Sequence, residues 1–136
     1  MPPSSDPSVA PKIKLLIVED HAATREALHA LLGGALGEHR LQIWVADSAE
    51  AAICLVETEA PDIVIMDISL PGMNGIEATR IIRRLAPATD VVMHSNNDTE
   101  SYREMSASVG ASAFVSKRHT ARELVPAILE ILKPAA

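Results

Sequence analysis

The sequence predicts an α/β fold, a doubly wound sheet of five parallel strands with helices on both faces. Short apolar runs of strand length recur five times, and between them apolar residues recur at helical spacing. Size and composition agree: 136 residues, 48% apolar and 22% charged, can bury one core without disulfide or metal staples.

The elements follow in order. The opening "MPPSSDPSVAP" (1–11) is proline- and serine-rich and is expected to be a disordered leader. One domain is expected over 12–133, with 134–136 as a tail. Strands are predicted at "IKLLIV" (13–18), "LQIWVA" (41–46), "DIVIM" (62–66), "DVVMH" (90–94) and "SAFVS" (112–116). The first and third are apolar enough to be central strands buried on both faces.

Leu28, Leu31, Leu32, Ala35 and Leu36 mark a first helix, expected to weaken at Gly33-Gly34. Ser48 is a plausible N-cap for the second helix and Asp98 for the fourth. Cys54, within 51–56, reads as a small buried residue on a helix face. Gly75 opens a third helix carrying Ala78, Ile81, Ile82 and Leu85. Pro61, Pro87 and Gly110 stand where helices should stop. The fourth helix, "DTESYREMSASVG", has only a thin stripe of Tyr102, Met105 and Val109, so it is the best candidate for a mobile element. The fifth, Ala121 to Leu132, is apolar over about half its circumference, which suits deep burial or a homodimer or interdomain surface.

The bulk numbers exclude several functions. A net charge of −6, from 18 acidic against 12 basic residues, and the lack of a basic cluster argue against direct nucleic-acid binding. A single cysteine excludes a disulfide framework and fits a reducing compartment. No apolar run approaches the roughly 18 residues of a membrane span, and the leader lacks signal-peptide features, so a cytoplasmic location is expected.

In a doubly wound sheet, ligands bind beyond the carboxyl ends of the strands. Here the first strand ends in Glu19-Asp20, the third in Asp67 and the fourth in His94-Ser95, while the fifth runs through Phe114 to Lys117. Two unit charges about 4 Å apart repel by roughly 4 kcal/mol at an effective dielectric of about 20, so three carboxylates in one pocket need compensation. A hard divalent cation such as Mg²⁺ suits all-oxygen ligands and leaves room for phosphate oxygens. Asp67 could then act as a nucleophile towards phosphorus, with Lys117 as a second cation. Taken singly, an acidic pair caps a helix, a lysine lies on the surface and a serine caps a turn. Their joint placement on different strand ends is what favours a site.

The motifs "LLIVEDH", "DIVIMDISLPGMNG", "VVMHS" and "GASAFVSK" resemble, in order and spacing, those of the receiver domain of bacterial two-component response regulators, over residues 12 to 133. That resemblance implies a flavodoxin-like (βα)5 fold with strand order 2-1-3-4-5. It implies phosphorylation of Asp67 by a sensor histidine kinase or phosphotransfer protein, and Lys117 as the phosphoryl-binding lysine. Mg²⁺ would be held by Asp20, Asp67 and the backbone carbonyl of Ser69, and through water by Glu19. Ser95 and Phe114 match the switch residues that shift the surface of helix four, strand five and helix five.

The texture of "DISLPGMNGIEATR" and "HSNND" is similar to receivers that precede a LuxR-type helix-turn-helix, so the expected output is transcriptional. DNA would then be reached only through an output domain outside this chain. The sequence departs from the family pattern at Arg118, where a cis-proline is common, and a cis bond is not expected there. Asn96 and Ser69 are expected to tune autodephosphorylation. His21 and His94 are excluded as metal ligands beside so many hard oxygens.

Two other readings are weaker. An Asp-based phosphohydrolase would carry a second aspartate where Ser69 stands, so turnover of an external substrate is not expected. A module that binds partners without phosphorylation would usually lack one of the acids, the acceptor or the lysine.

Overall fold

The computed structural model describes residues 12–133. The expected leader and tail lie outside the described residues. One sheet carries five strands, β1 (Ile13–Val18), β2 (Leu41–Ala46), β3 (Ile63–Met66), β4 (Asp90–Ser95) and β5 (Ala113–Ser116), all parallel in the order β2-β1-β3-β4-β5. Five helices connect and follow them: α1 (Ala22–Leu36), α2 (Ala49–Glu59), α3 (Gly75–Leu85), α4 (Glu100–Ser108) and α5 (Thr120–Leu132). Among the described residues no helix is long and apolar enough to cross a membrane.

Period-two alternation along the strands divides the core. Leu15, Ile17, Ile63, Ile65, Val92 and Val115 face Leu28 and Leu32 of α1 and Leu124 and Ile128 of α5. Leu16, Val18, Val64, Met66, Val91 and Met93 face α2 and α3, with Tyr102 of α4 and Phe114 packed at the margin. Central β1 and β3 are thus buried on both sides, as their unbroken apolar runs require.

The structure corrects the sequence reading at several places. α1 runs through Gly33-Gly34 to Leu36, because Gly37, at φ 88°, takes the left-handed turn instead. A side chain at Gly33 would strike Glu38, so that glycine answers to packing rather than termination. The α4 cap is Thr99, whose hydroxyl accepts from Tyr102 N–H, and Asp98 is left for other work. Cys54 is exposed, since Ala49, Ala52 and Val56 form the inward face of α2. The fourth helix buries Ser106 rather than its apolar stripe, leaving Met105 40% exposed. β3 and β5 each start one residue later than expected, and β4 continues through Ser95. Ser48 caps α2 as expected, its hydroxyl accepting from Ala51 N–H at 3.1 Å.

Candidate functional site

Sheet register builds the site. Val18 pairs with Met66, so the next residues, Glu19 and Asp67, emerge side by side from the two central strands. Both are buried, at 1% and 3% exposure. Backbone hydrogen bonds hold them: Glu19 N–H donates to Ala46 O and Asp67 N–H to Val18 O, each at 3.0 Å. Arg25 of α1 grips the Glu19 carbonyl at 2.7 Å. Ser95 pairs with Ser116, which starts Lys117 one residue beyond the sheet. The lysine reaches back over β4, its Nζ 2.8 Å from Glu19 Oε1 and 3.3 Å from Asp67 Oδ2. Asp67 Oδ1 accepts from Ser69 N–H at 3.2 Å.

The loop after Asp67 is shaped by its small residues. Gly72 sits at φ 75°, and Gly75 N–H donates to Ile68 O at 2.9 Å. A Cβ on Gly75 would lie 2.1 Å from the Asp67 carbonyl oxygen, so α3 can start this close to the strand end only with glycine there. Asn74 caps α3 by accepting from Glu77 N–H.

One ammonium does not balance these carboxylates. Burial works against ionised Glu19, but hydrogen bonds from Lys117 and His21 prevail and hold it at about 2. Burial and the neighbouring Glu19 charge push Asp67 up to about 6, against the pull of Lys117 and the Ser69 amide. Burial opposes the Lys117 charge too, yet its two carboxylate partners raise it above the ordinary lysine value.

Ligand atoms of Glu19, Asp20, His21 and Asp67 all lie within 4.8 Å of one another. Three of the four donors are carboxylates facing a charge deficit of one sign, which fits a hard divalent cation. His21, excluded on sequence grounds, stands at the rim of this cluster. Its Nδ1 is 3.1 Å from Glu19 Oε2 and 3.3 Å from Asp20 Oδ1, on a largely exposed side chain.

The expected switch residues stand apart from the carboxylates. Buried Ser95 accepts from Asn97 N–H at 3.0 Å through its hydroxyl, closing a turn in its own loop. Phe114 is half-buried, with the Arg103 guanidinium 4.7 Å from its ring centroid, a cation–π contact. Asn96 shares a cavity of ≈ 610 Å³ with Lys117, His94, Thr120 and residues of α1. The Lys117-Arg118 bond is trans, as expected.

Sequence reasoning missed a polar cluster behind this rim. Asp98 Oδ2 accepts from Ser116 Oγ at 2.8 Å and from Arg118 at 2.7 Å, and Arg103 donates to the Asp98 carbonyl. These bonds hold Asp98 below the usual carboxylate range. Opposite charges just past the ends of two adjacent strands were the available signal. His94, set aside as a metal ligand on sequence grounds, lies outside the acidic cluster; it is 2% exposed, its Nε2 lies 2.7 Å from Thr120 Oγ1, and its imidazole is driven down to about 4 by burial and by Lys117.

Comparison with known proteins agrees with this arrangement. Residues 15–129 match the family model described as the response regulator receiver domain. The chain is 32% identical over 93% of its length to the alkaline phosphatase synthesis transcriptional regulatory protein SphR of Synechococcus elongatus, covering 51% of that protein. To the transcriptional regulatory protein DegU of Brevibacillus brevis it is 35% identical over 92% of its length, covering 52%. The chain thus spans about half the length of these curated relatives. A solved LuxR-family two-component response regulator from Aurantimonas superposes with a TM-score of 0.82 at 34% identity, over 89% of this chain and 85% of that one. With the sheet order, the acidic cluster and the lysine in agreement, the chain belongs to the response regulator receiver family.

Proposed function

We propose that this chain is the phosphoacceptor domain of a cytoplasmic two-component system, taking a phosphoryl group on Asp67 from a sensor histidine kinase or phosphotransfer protein. The observation that carries the reading is Asp67 buried at a strand end with Lys117 Nζ at 3.3 Å and Glu19 and Asp20 beside it. The carboxylate oxygen forms its bond to phosphorus as the phosphorus–nitrogen bond to the donor imidazole breaks. Lys117 lies on the Oδ2 side and binds an oxygen of the transferring group. The Ser69 amide orients the carboxylate through Oδ1.

Asp20, Asp67 and the Ser69 carbonyl would hold Mg²⁺, with Glu19 acting through water. When bound, the cation offsets the carboxylate charge and that of the transferring phosphoryl oxygens. Asp67 is then ionised at neutral pH, the form that attacks.

Readout follows from the rim. Ser95 leaves its turn for a phosphoryl oxygen, Phe114 turns inward, and the α4–β5–α5 surface shifts to act on an output, proposed to be transcriptional. Ser69, whose amide bonds Asp67, and Asn96, which lines a cavity with Lys117, are both exposed and set the phosphoryl lifetime. Residues 12–133 form this domain, and Leu129, exposed on α5, is where a homodimer would meet.

Intact mass after incubation with acetyl phosphate tests the reading. A gain of one phosphoryl group that needs Mg²⁺ and is absent in Asp67→Asn supports it. A wild-type chain that gains nothing and also fails to bind beryllofluoride would overturn it.

A further inference from the structure

Lys117 stands in a 3-10 turn, Lys117–His119, between β5 and α5, with no proline to stiffen it. Thr120 Oγ1 lies 3.1 Å from the Lys117 carbonyl oxygen and 2.7 Å from His94 Nε2. Proton accounting gives this chain a direction. The carbonyl can only accept, so the single hydroxyl proton of Thr120 goes to Lys117 O. The hydroxyl oxygen then accepts, and the proton between it and the ring belongs to His94 Nε2. His94 lies on β4, which sits between β3, the strand of Asp67, and β5, the strand of Lys117. The lysine is therefore referenced to the strand that separates it from its target. Its ammonium divides between two carboxylates at 2.8 and 3.3 Å, so a sub-ångström shift of its backbone changes which one it serves.

We infer that His94 and Thr120 are positioning residues for Lys117, setting where its ammonium stands over Asp67 through a chain of two hydrogen bonds to the lysine carbonyl. The inference deepens the proposed function and rests on it.

The test compares rates of phosphoryl uptake from acetyl phosphate with Mg²⁺, by intact mass, across paired variants. Thr120→Val keeps the shape of the side chain and removes both bonds, and His94→Leu removes one. Each is expected to slow uptake about tenfold or more, the scale of loss that misplacement by a fraction of an ångström produces. Thr120→Ser and His94→Gln keep the hydroxyl and a donor at the Nε2 position, and are expected within about threefold of wild type. His94→Asn, whose donor falls short, should be as slow as His94→Leu.

A merely structural role predicts no such pairing, and equal loss in Ser and Val, or in Gln and Leu, would overturn the inference. Nitrogen NMR of the wild-type chain reads the hydrogen-bond chain without phosphorylation. The Nε2–H tautomer is expected for His94, and the Nδ1–H form would sink the proposal even if every variant failed to fold. A wild-type chain that accepts no phosphoryl group and binds no beryllofluoride, but shows the Nε2–H tautomer, would overturn the receiver reading, and the positioning role with it, while leaving the hydrogen bond in place.

Discussion

β3 and β4 are neighbours, and each leads at its carboxyl end to a buried polar residue, Asp67 or Ser95, yet the two ends are held differently. At the end of β3, Asp67 is fixed by backbone bonds to the adjacent strand, and Gly75 closes on its carbonyl with no space left over. The helix that follows, α3, buries Ala78, Thr79 and Ile82. At the end of β4, Ser95 to Thr99 are held by side chains, namely the Ser95 turn and the Asp98 cluster with Ser116, Arg118 and Arg103. The helix that follows, α4, buries only Ser106. Asp67 stands on close-packed backbone, whereas the rim after β4 is tied by polar contacts that can be exchanged without disturbing the core, as the proposed switch requires.

Substitutions sharpen this contrast. The largest effect is expected from Gly75→Ala, which must displace backbone and should cost more than about 3 kcal/mol in a urea melt, with loss of phosphoryl uptake. Next, Ile82→Ala on α3 should cost about 2 to 5 kcal/mol, whereas Met105→Ala on α4 should cost less than about 0.5 kcal/mol. Similar costs for the two would erase the distinction between the helices.

Asp67→Asn should stabilise the cation-free protein at pH 7.5, by an amount on the order of 2 kcal/mol. The sign follows from the raised value. Folded Asp67 titrates at about 6 against 3.8 for the free side chain, so the native state binds the extra proton between those values. Its destabilising contribution is full above pH 6 and fades as the pH falls towards 3.8. The advantage of the variant should therefore shrink on acidification and also on adding Mg²⁺, as followed by thermal melts. The smallest effect belongs to Arg118→Ala. Global stability should hold while amide exchange rises across residues 96–99, and high salt should do the same to the wild type.

Much of this was legible in the sequence because long-range order here is written in strand ends. Apolar runs leading to Glu19-Asp20, Asp67 and Lys117 sufficed to gather four residues that are up to 98 positions apart. The misses have a common origin. Gly33 and Cys54 were read from local propensity, whereas neighbouring elements decided both. The pairing of Asp98 with Arg118, and of His94 with Thr120, depends on which strand ends lie adjacent and how far their side chains reach. Neither leaves a trace in periodicity. The thin stripe on α4 read correctly as a weak anchor, since that helix buries only Ser106.

The span between Glu19 and Lys117 also orders the birth of the fold. A ribosome delivers the two acidic residues first, Asp67 midway and the lysine near the end. Until β5 docks, a nascent chain that gathers its first strands brings like charges together with no ammonium to separate them. The acidic end of the domain therefore closes only when the last strand is added, and a chain cut short before Lys117 folds against its own charge.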